Sequence, residues 1–120
     1  MPQLPAVEAM MAKDEASRRL GIELIDHGEG RAVTRMTVRD DMVNGHAMAH
    51  GGLIFALADT AFACACNSFG PVTVAASADI TFVAPARAGR GGRAHEAGPS
   101  WWLRPRNSAI TSLSRRTVTS

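Results

Sequence analysis

A single carboxylate stands within the most apolar stretch of this 120-residue chain. Asp59 follows Leu53-Ile54-Phe55 and precedes Phe62, and no Lys, Arg or His occurs within one helical turn on either side. An ionised carboxylate in apolar surroundings is costly unless it is paired, hydrated or protonated, and such groups concentrate at functional sites. Asp59 is therefore the first candidate for acid–base chemistry. The alternative to a catalytic role is a structural one. The apolar stretch, if it is a helix, reaches the surface here, or Asp59 bonds a nearby backbone amide.

Gly51 and Gly52 begin the same apolar stretch. Glycines at the start of a helix let a ligand approach the backbone closely, and the free N–H groups of the first turn form an anion site. The oxyanion that develops on a carbonyl group under attack is one such anion. The alternative interpretation of the glycine pair is a plain junction between a loop and a helix.

The spacing between these two features restricts how they can cooperate. Eight residues separate Gly51 from Asp59, which corresponds to about 12 Å along a helix. A general base and an oxyanion donor must both lie within about 3–4 Å of one reacting carbonyl carbon or of the attacking water. One helix cannot meet both requirements at one carbon. If both residues act, the carbonyl group is held by Gly51-Gly52 of one chain and attacked beside Asp59 of another, which implies a dimer.

The histidines and cysteines favour neither a metal site nor a disulfide. His46 and His50 have a spacing that could bind zinc on a helix, but Ala47-Met48-Ala49 offers no acid and the segment precedes the predicted helix. Cys64 and Cys66 are two residues apart on that helix, so their side chains diverge. We predict no metal and no other cofactor, and two buried thiols of the kind found in a reducing cytosol.

The periodicity of the chain predicts the elements that must position these residues. In chain order they are a helix, a hairpin, a buried helix and a long strand, over residues 6–20, 22–39, 52–66 and 72–84. Gly21 ends the first helix, and a breaker cluster at residues 67–71 ends the buried one. Pro85 ends the long strand. A helix that is apolar on all sides needs a cover, and an antiparallel sheet with one apolar face provides it.

The composition places the chain in a broad class. It is 46% hydrophobic and 20% charged, which excludes a disordered chain and fits one globular domain. No signal peptide is visible, and no apolar run reaches the roughly 18 residues that a membrane span needs. We expect a cytoplasmic protein without a membrane partner.

The last third of the sequence differs from the rest. Residues 1–86 carry six basic and ten acidic residues, whereas residues 87–120 carry seven Arg and the single acid Glu96. From Gly89 onward neither alternation nor a helical stripe continues, and Trp101 and Trp102 are adjacent, so a strand cannot direct both to one core. A basic tail could attract nucleic acid, but it lacks the interleaved aromatic and base-reading residues of such modules, and we predict no nucleic-acid partner. We interpret residues 90–120 as an aberrant end, such as a shifted reading frame produces.

Three motifs within residues 44–68 carry a resemblance to a known family. They are Asn44-Gly45-His46, His50-Gly51-Gly52 and Leu57-Ala58-Asp59-Thr60-Ala61-Phe62. Together they closely resemble the PaaI branch of the hotdog-fold acyl-CoA thioesterases, which is named for phenylacetate degradation. A looser likeness extends from residue 15 to Gly89.

The resemblance implies an α+β hotdog fold, in which a long central helix is wrapped by a curved antiparallel sheet. The implied activity is hydrolysis of aromatic acyl-CoA thioesters of the phenylacetyl-CoA type to the free acid and CoA, without a metal or another cofactor. The resemblance further implies homodimers, or homotetramers that are dimers of dimers.

The resemblance also assigns roles to individual residues. Asp59 matches the catalytic carboxylate, which acts on water as a base or acts as a nucleophile, and Gly51 matches the amide of the oxyanion hole. Asn44 and His50 match the polar groups that orient the carbonyl group and the water, and Ser77 matches a hydroxyl near that water. Substrate contacts are expected at Gly52, Thr60 and Phe62.

The likeness divides the chain into a hotdog domain at residues 1–89 and an atypical Arg-, Gly- and Ser-rich tail at residues 90–120, which replaces the family's last strands. This division leaves an alternative to catalysis. A hotdog protein with such an end could bind acyl-CoA without turning it over. A hotdog dehydratase is a further alternative, but that chemistry combines a catalytic His with an acid, and the buried helix offers only Asp59.

Overall fold

A computed structural model of the chain describes residues 4–70, 73–81, 87–89, 91–97, 100–104 and 109–117, with side-chain surroundings for residues 5–70 and 87–89. The elements in chain order are α1 (Leu4–Ala12), α2 (Glu15–Leu20), β1 (Glu23–Gly28), β2 (Arg31–Thr37), a short 3-10 turn (Asp40–Met42), α3 (Gly51–Asn67), β3 (Thr73–Thr81), β4 (Gly91–Ala97), β5 (Ser100–Arg104) and β6 (Ala109–Thr117).

The first predicted helix is two helices, so the prediction of one continuous helix is wrong. Asp14 interrupts it, because its carboxylate accepts a hydrogen bond from the backbone N–H of Ser17 at 2.9 Å and so caps α2. Aspartate favours this capping position over a helix interior. Gly21 ends α2 in the left-handed conformation, with φ of 71°, which confirms it as the predicted stop.

The predicted hairpin is confirmed. Strands β1 and β2 pair antiparallel from Glu23 opposite Arg35 to Gly28 opposite Arg31. Alternate residues of β2 face inward, and the fully buried Thr34 donates a hydrogen bond from its hydroxyl to the backbone carbonyl of Leu57 at 3.2 Å. This bond fixes β2 directly against α3.

The buried helix is confirmed as α3, which is 17 residues long and contacts each of the strands β1 to β6. These strands form a four-stranded sheet in the order β1-β2-β4-β5 and a two-stranded sheet of β3 and β6, and every described pairing is antiparallel. The α+β architecture with a long central helix against antiparallel strands is therefore as predicted.

The core surrounds α3 in two clusters. One cluster runs along α3 from Ile54 to Cys66 and joins it to the hairpin and the following loop, through residues such as Met36 and Leu57. The other joins its last turns to α1 through Val7 and Cys64. Helix α3 is thus packed against the hairpin along most of its length and against α1 in its last turns, which gives its residues fixed positions.

The C-terminal strands differ from the expectation. The predicted long strand is present as β3, and its predicted end at Pro85 lies outside the described residues. Beyond it, β4, β5 and β6 occupy a segment in which the sequence shows no alternation. Their partners explain this difference, because β4 pairs with β2 and β6 pairs with β3 along most of their length, and pairing with neighbours outweighs local strand propensity. The division into a domain at residues 1–89 and a tail at residues 90–120 stays a prediction.

Within the described ranges, no helix is both long and apolar enough to cross a membrane.

Candidate active site

The loop before α3 is folded around the side chain of Asn44. Its Oδ1 accepts hydrogen bonds from the backbone N–H groups of His46 at 2.9 Å and Met48 at 3.2 Å. The backbone N–H of Asn44 also donates to the carbonyl of Met48 at 2.7 Å. Oδ1 is thus engaged within the loop, while the two N–H donors of Nδ2 on this half-buried side chain have no acceptor among the described residues.

The same loop contains a residue in an unfavourable backbone conformation. Ala47 has φ of 58°, in the left-handed region that non-glycine residues rarely adopt. Its backbone N–H donates to the carbonyl of Asn44 at 3.1 Å, so the strained residue closes the turn around Asn44. Strain of this kind persists where the surroundings enforce it, which is common at functional loops.

The first turn of α3 leaves one backbone donor available. The N–H of Gly52 donates to Nδ1 of His50 at 3.4 Å, and the N–H groups of Leu53 and Ile54 donate to the carbonyl of His50 at 2.9 and 3.3 Å. Within the part of the chain that the structure describes, the N–H of Gly51 has no acceptor. The free donor at this helix start is therefore the one predicted for the oxyanion.

His50 is the N-cap residue of α3, a role that was not predicted from the sequence. Because Nδ1 accepts the hydrogen bond from Gly52, the neutral ring carries its proton on Nε2. The ring is exposed, so Nε2–H is a second donor beside the N–H of Gly51.

Asp59 is half-buried on α3 two turns after these donors. Burial raises the pKa of its carboxyl group above the ordinary value, and the negative charge of Asp14 raises this pKa further. Among the side chains described at residues 5–70 and 87–89, none forms a hydrogen bond or an ion pair with the Asp59 carboxylate. Nor does a backbone amide of those residues donate to it, so the structural alternative of a bond to a nearby amide is not realised there.

Two of the predicted substrate contacts are packed inside the subunit. The hydroxyl of Thr60 lies 2.9 Å from Oγ of Ser17 and 3.0 Å from the carbonyl oxygen of Ala56, and its one proton serves one of these two acceptors at a time. The ring of Phe62 is 3% exposed and belongs to the core cluster that joins α3 to the hairpin. Gly52, by contrast, is exposed at the helix start. The roles of all three in substrate binding stay predictions.

Ser77 lies in the middle of β3, with Ser114 of β6 as its register partner. Its side chain lies outside the described surroundings, so its expected position near the attacking water stays a prediction.

The cysteines of α3 are both buried thiols, as predicted. Burial, together with the nearby charge of Asp14, raises the pKa of Cys64 to about 12. This thiol therefore stays protonated at neutral pH and cannot act as a nucleophile. In the described part of the chain, His, Cys, Asp and Glu form no cluster of three or more that could hold a metal ion.

The position of Asp14 is a feature that sequence reasoning missed. It lies outside the predicted motifs, yet its carboxylate acts on two residues of α3. The signal that could have found it is local, because an aspartate before Glu15-Ala16 is a typical helix start.

Comparisons with known proteins agree with this architecture. Residues 46–90 match the model of the thioesterase superfamily. Over 81 residues, which are 68% of this chain and 58% of the relative, the sequence is 51% identical to acyl-coenzyme A thioesterase PaaI of Escherichia coli strain K12. The chain thus spans little more than half the length of that relative.

Solved structures give the same result over a longer part of the chain. The E. coli PaaI protein from the phenylacetic acid degradation operon superimposes with a TM-score of 0.85 and 34% identity, covering 96% of this chain and 92% of that one. A protein of Thermus thermophilus superimposes with a TM-score of 0.77 and 32% identity, covering 87% and 98% respectively. The chain therefore belongs to the thioesterase superfamily, within its PaaI branch, and has the hotdog fold of that family.

Proposed function

We propose that this protein is an acyl-CoA thioesterase whose site combines Gly51 of one subunit with Asp59 of another. The observation that carries the proposal is the pair of unsatisfied groups on α3: the backbone N–H of Gly51 without an acceptor, and the Asp59 carboxylate without a partner, both among the described residues. One is a donor suited to an oxyanion, and the other is an acceptor suited to a proton from water.

The reaction follows from these two groups. The thioester carbonyl oxygen accepts a hydrogen bond from the Gly51 N–H, which stabilises the negative charge that develops during attack. Asp59 takes a proton from the attacking water, or attacks the carbonyl carbon itself and is released by water in a second step. The C–S bond then breaks, and CoA leaves as a thiolate that takes up a proton. Asn44 and His50 supply the further donors that orient the carbonyl group and the water.

The site requires two subunits for a geometric reason. Gly51 and Asp59 lie on one continuous helix, eight residues apart, so about 12 Å separates them along its axis. Both groups must lie within hydrogen-bond reach of one tetrahedral centre. A homodimer, or a tetramer built from such dimers, brings the helix start of one subunit to the middle of the other helix.

The proposed substrates are aromatic acyl-CoA thioesters such as phenylacetyl-CoA. Support comes from the relatives, since one is named an acyl-coenzyme A thioesterase and its solved counterpart derives from the phenylacetic acid degradation operon. No charged side chain lies near Asp59 on its own helix, which suits an uncharged acyl group.

The test is a free-thiol assay with phenylacetyl-CoA on the wild type and on Asp59→Asn, which keeps the shape of the side chain and removes its charge. We expect kcat to fall by at least about 10²-fold while phenylacetyl-CoA binding is retained. The matched control is Asp40→Asn, which removes the same charge from the exposed 3-10 turn. Equal rates in wild type and Asp59→Asn would rule out Asp59 as the catalytic group.

A second candidate function is binding of acyl-CoA without turnover. The observation that favours it is the uneven sequence identity to E. coli PaaI. The identity is 51% over an 81-residue segment, but 34% when nearly the whole chain is superimposed on the E. coli structure. Nearly all identical residues therefore lie in that segment, and the rest of the chain has a sequence of its own. Saturable binding of phenylacetyl-CoA by the wild type without release of thiol would establish this alternative.

A further inference from the structure

A chain of hydrogen bonds connects the start of α2 to the middle of α3. The hydroxyl of Ser17 donates to Oδ2 of Asp14 at 2.6 Å. Because this uses the one proton of Ser17, the hydroxyl of Thr60 is the donor in the 2.9 Å contact between the two hydroxyls. Ser17 is 4% exposed and Thr60 is 7% exposed, so the contact between the two hydroxyls is shielded from water. Thr60 directly follows Asp59 on α3, so the hydrogen-bonded series ends one residue from the candidate catalytic carboxylate in the chain.

Asp14 and Asp59 are two carboxylates close enough for the charge of one to act on the other. Asp14 forms no ion pair with any side chain in the described surroundings, and Asp59 has no partner there either. The charge of Asp14 raises the pKa of both Asp59 and Cys64, which lie on the second half of α3. The carboxylate of Asp14 therefore acts on α3 without a described cation to neutralise it.

The other charged groups on the elements packed against α3 are engaged elsewhere. On α1, α2, β1, β2 and the turn that follows, five ion pairs bind most of them, namely Arg18–Glu15, His27–Glu8, Arg31–Asp26, Arg35–Glu23 and Arg39–Asp41. Arg19 on α2 is exposed, as is Lys13 before it. On the remaining strands the charged residues have side chains outside the described surroundings: Asp79, Arg93, His95, Glu96, Arg104, Arg115 and Arg116.

We propose that Asp14 is a positioning residue for Asp59: its carboxylate is held by Ser17, and through it by Thr60, as a fixed negative charge against the segment of α3 that carries Asp59. This inference rests on the proposed function for its catalytic meaning, because a carboxyl that is readily protonated accepts a proton from water more effectively. The N-terminal helices would then take part in tuning the site as well as in covering the core.

The direct test is a carbon-13 NMR titration of the Asp59 carboxyl in the unmodified protein and in Asp14→Asn. Asparagine caps a helix as well as aspartate does, so its one side-chain oxygen still accepts from the Ser17 N–H, while the charge and the acceptor for the Ser17 hydroxyl are removed. We expect the titration midpoint of Asp59 to move to lower pH in Asp14→Asn and to stay unchanged in the control Asp40→Asn. An unchanged midpoint in Asp14→Asn would overturn the proposal.

A second variant tests the hydrogen-bonded chain itself. Ser17→Ala keeps the charge of Asp14 but removes the link to Thr60, so that the carboxylate can turn towards solvent and be screened. We expect the Asp59 midpoint to move in the same direction as in Asp14→Asn, by a smaller amount. If the titration midpoint of Asp59 moves in Asp14→Asn but not in Ser17→Ala, the hydrogen bonds through Ser17 have no positioning role.

The pH profile of kcat/KM links this inference to catalysis. The acid limb, which reports ionisation of Asp59 in the free enzyme, should move to lower pH in Asp14→Asn by the same interval as the NMR midpoint. A protein without thioesterase activity would contradict the proposed function, while the NMR titration would still decide the role of Asp14. If Asp14→Asn fails to fold, Asp14→Ser, which also caps a helix, replaces it.

Discussion

Nδ1 of His50 accepts a hydrogen bond from the backbone N–H of Gly52 at 3.4 Å, and this contact decides which donor at the start of α3 stays available. The next two N–H groups are taken by the carbonyl of His50. Gly51 alone among the first four residues of the helix keeps an N–H that no described group accepts. The candidate oxyanion donor is thus selected by the residue that caps the helix.

This selection makes Gly51→Pro an informative variant. Proline suits the first position of a helix, and His50 already has the extended conformation that a residue before proline prefers, with φ of −60° and ψ of 130°. The substitution therefore removes one N–H and keeps the helix. We expect kcat to fall by about 10²- to 10³-fold with the fold retained, as measured by the thiol assay and circular dichroism.

The matched comparison is Gly51→Ala, which adds a methyl group but keeps the N–H. Its rate should fall less than that of Gly51→Pro. Equal losses in the two variants would assign the effect to bulk at the helix start and would contradict the role of the donor.

The strained residue of the Asn44 loop gives a prediction about stability. Glycine adopts a positive φ without the steric cost that Ala47 bears, although it loses more backbone entropy on folding. Ala47→Gly should therefore raise the free energy of unfolding by roughly 0.5–1 kcal/mol in urea denaturation. The control Ala9→Gly, within α1, should lower it by about 0.5–1 kcal/mol. A loss of stability in both variants would show that the loop conformation is not strained.

The raised pKa of Asp59 predicts how stability depends on pH. Because the pKa is higher in the folded than in the unfolded protein, the folded state binds more protons between the two values, and stability falls as pH rises through that interval. The interval begins near the ordinary value of 3.8 and ends at the raised folded pKa. Asp59→Asn should remove this part of the pH dependence. The free energy of unfolding of the variant, relative to that of the wild type, should therefore increase as pH rises to about 7.

The measurement is urea denaturation of both proteins at a series of pH values, with Asp40→Asn as the control for the loss of one charge. Asp59→Asn and wild type showing the same change with pH would contradict the raised pKa. A half-buried charge that is kept for catalysis lowers the stability of the folded protein. Removal of the Asp59 charge should therefore raise stability.

The elements that follow a strong periodic pattern could be predicted from the sequence. Helix α3 follows from an apolar run between Gly51 and the breaker cluster at residues 67–71, and the β1–β2 hairpin follows from alternation around a glycine turn. The break between α1 and α2 was missed because good helix formers continue across it, although the capping residue Asp14, which accepts from Ser17, is a local signal for a helix start. Strands β4 to β6 lack alternation, and their pairing with distant strands is a tertiary effect.

The residues of the candidate site likewise fall into those that could be predicted from the sequence and those whose roles depend on the folded chain. Asp59 and Gly51 stand out because a lone carboxylate in an apolar helix and a glycine at a helix start are unusual in themselves. The capping role of His50 and the orientation of Asn44 depend on hydrogen bonds that form only in the folded chain. The link from Asp14 to Thr60 joins residues far apart in the sequence, and no local pattern encodes it.

The most direct test of the two-subunit site is a complementation experiment with two inactive variants. Gly51→Pro and Asp59→Asn are co-expressed with different affinity tags, and the mixed oligomers are purified through both tags and assayed with phenylacetyl-CoA. In a mixed dimer one site carries both changes and the other carries neither, so the mixed dimer should recover about half of the wild-type kcat per dimer. No activity in the mixed dimer, with each parent variant folded and inactive, would place both groups in one subunit and contradict the account.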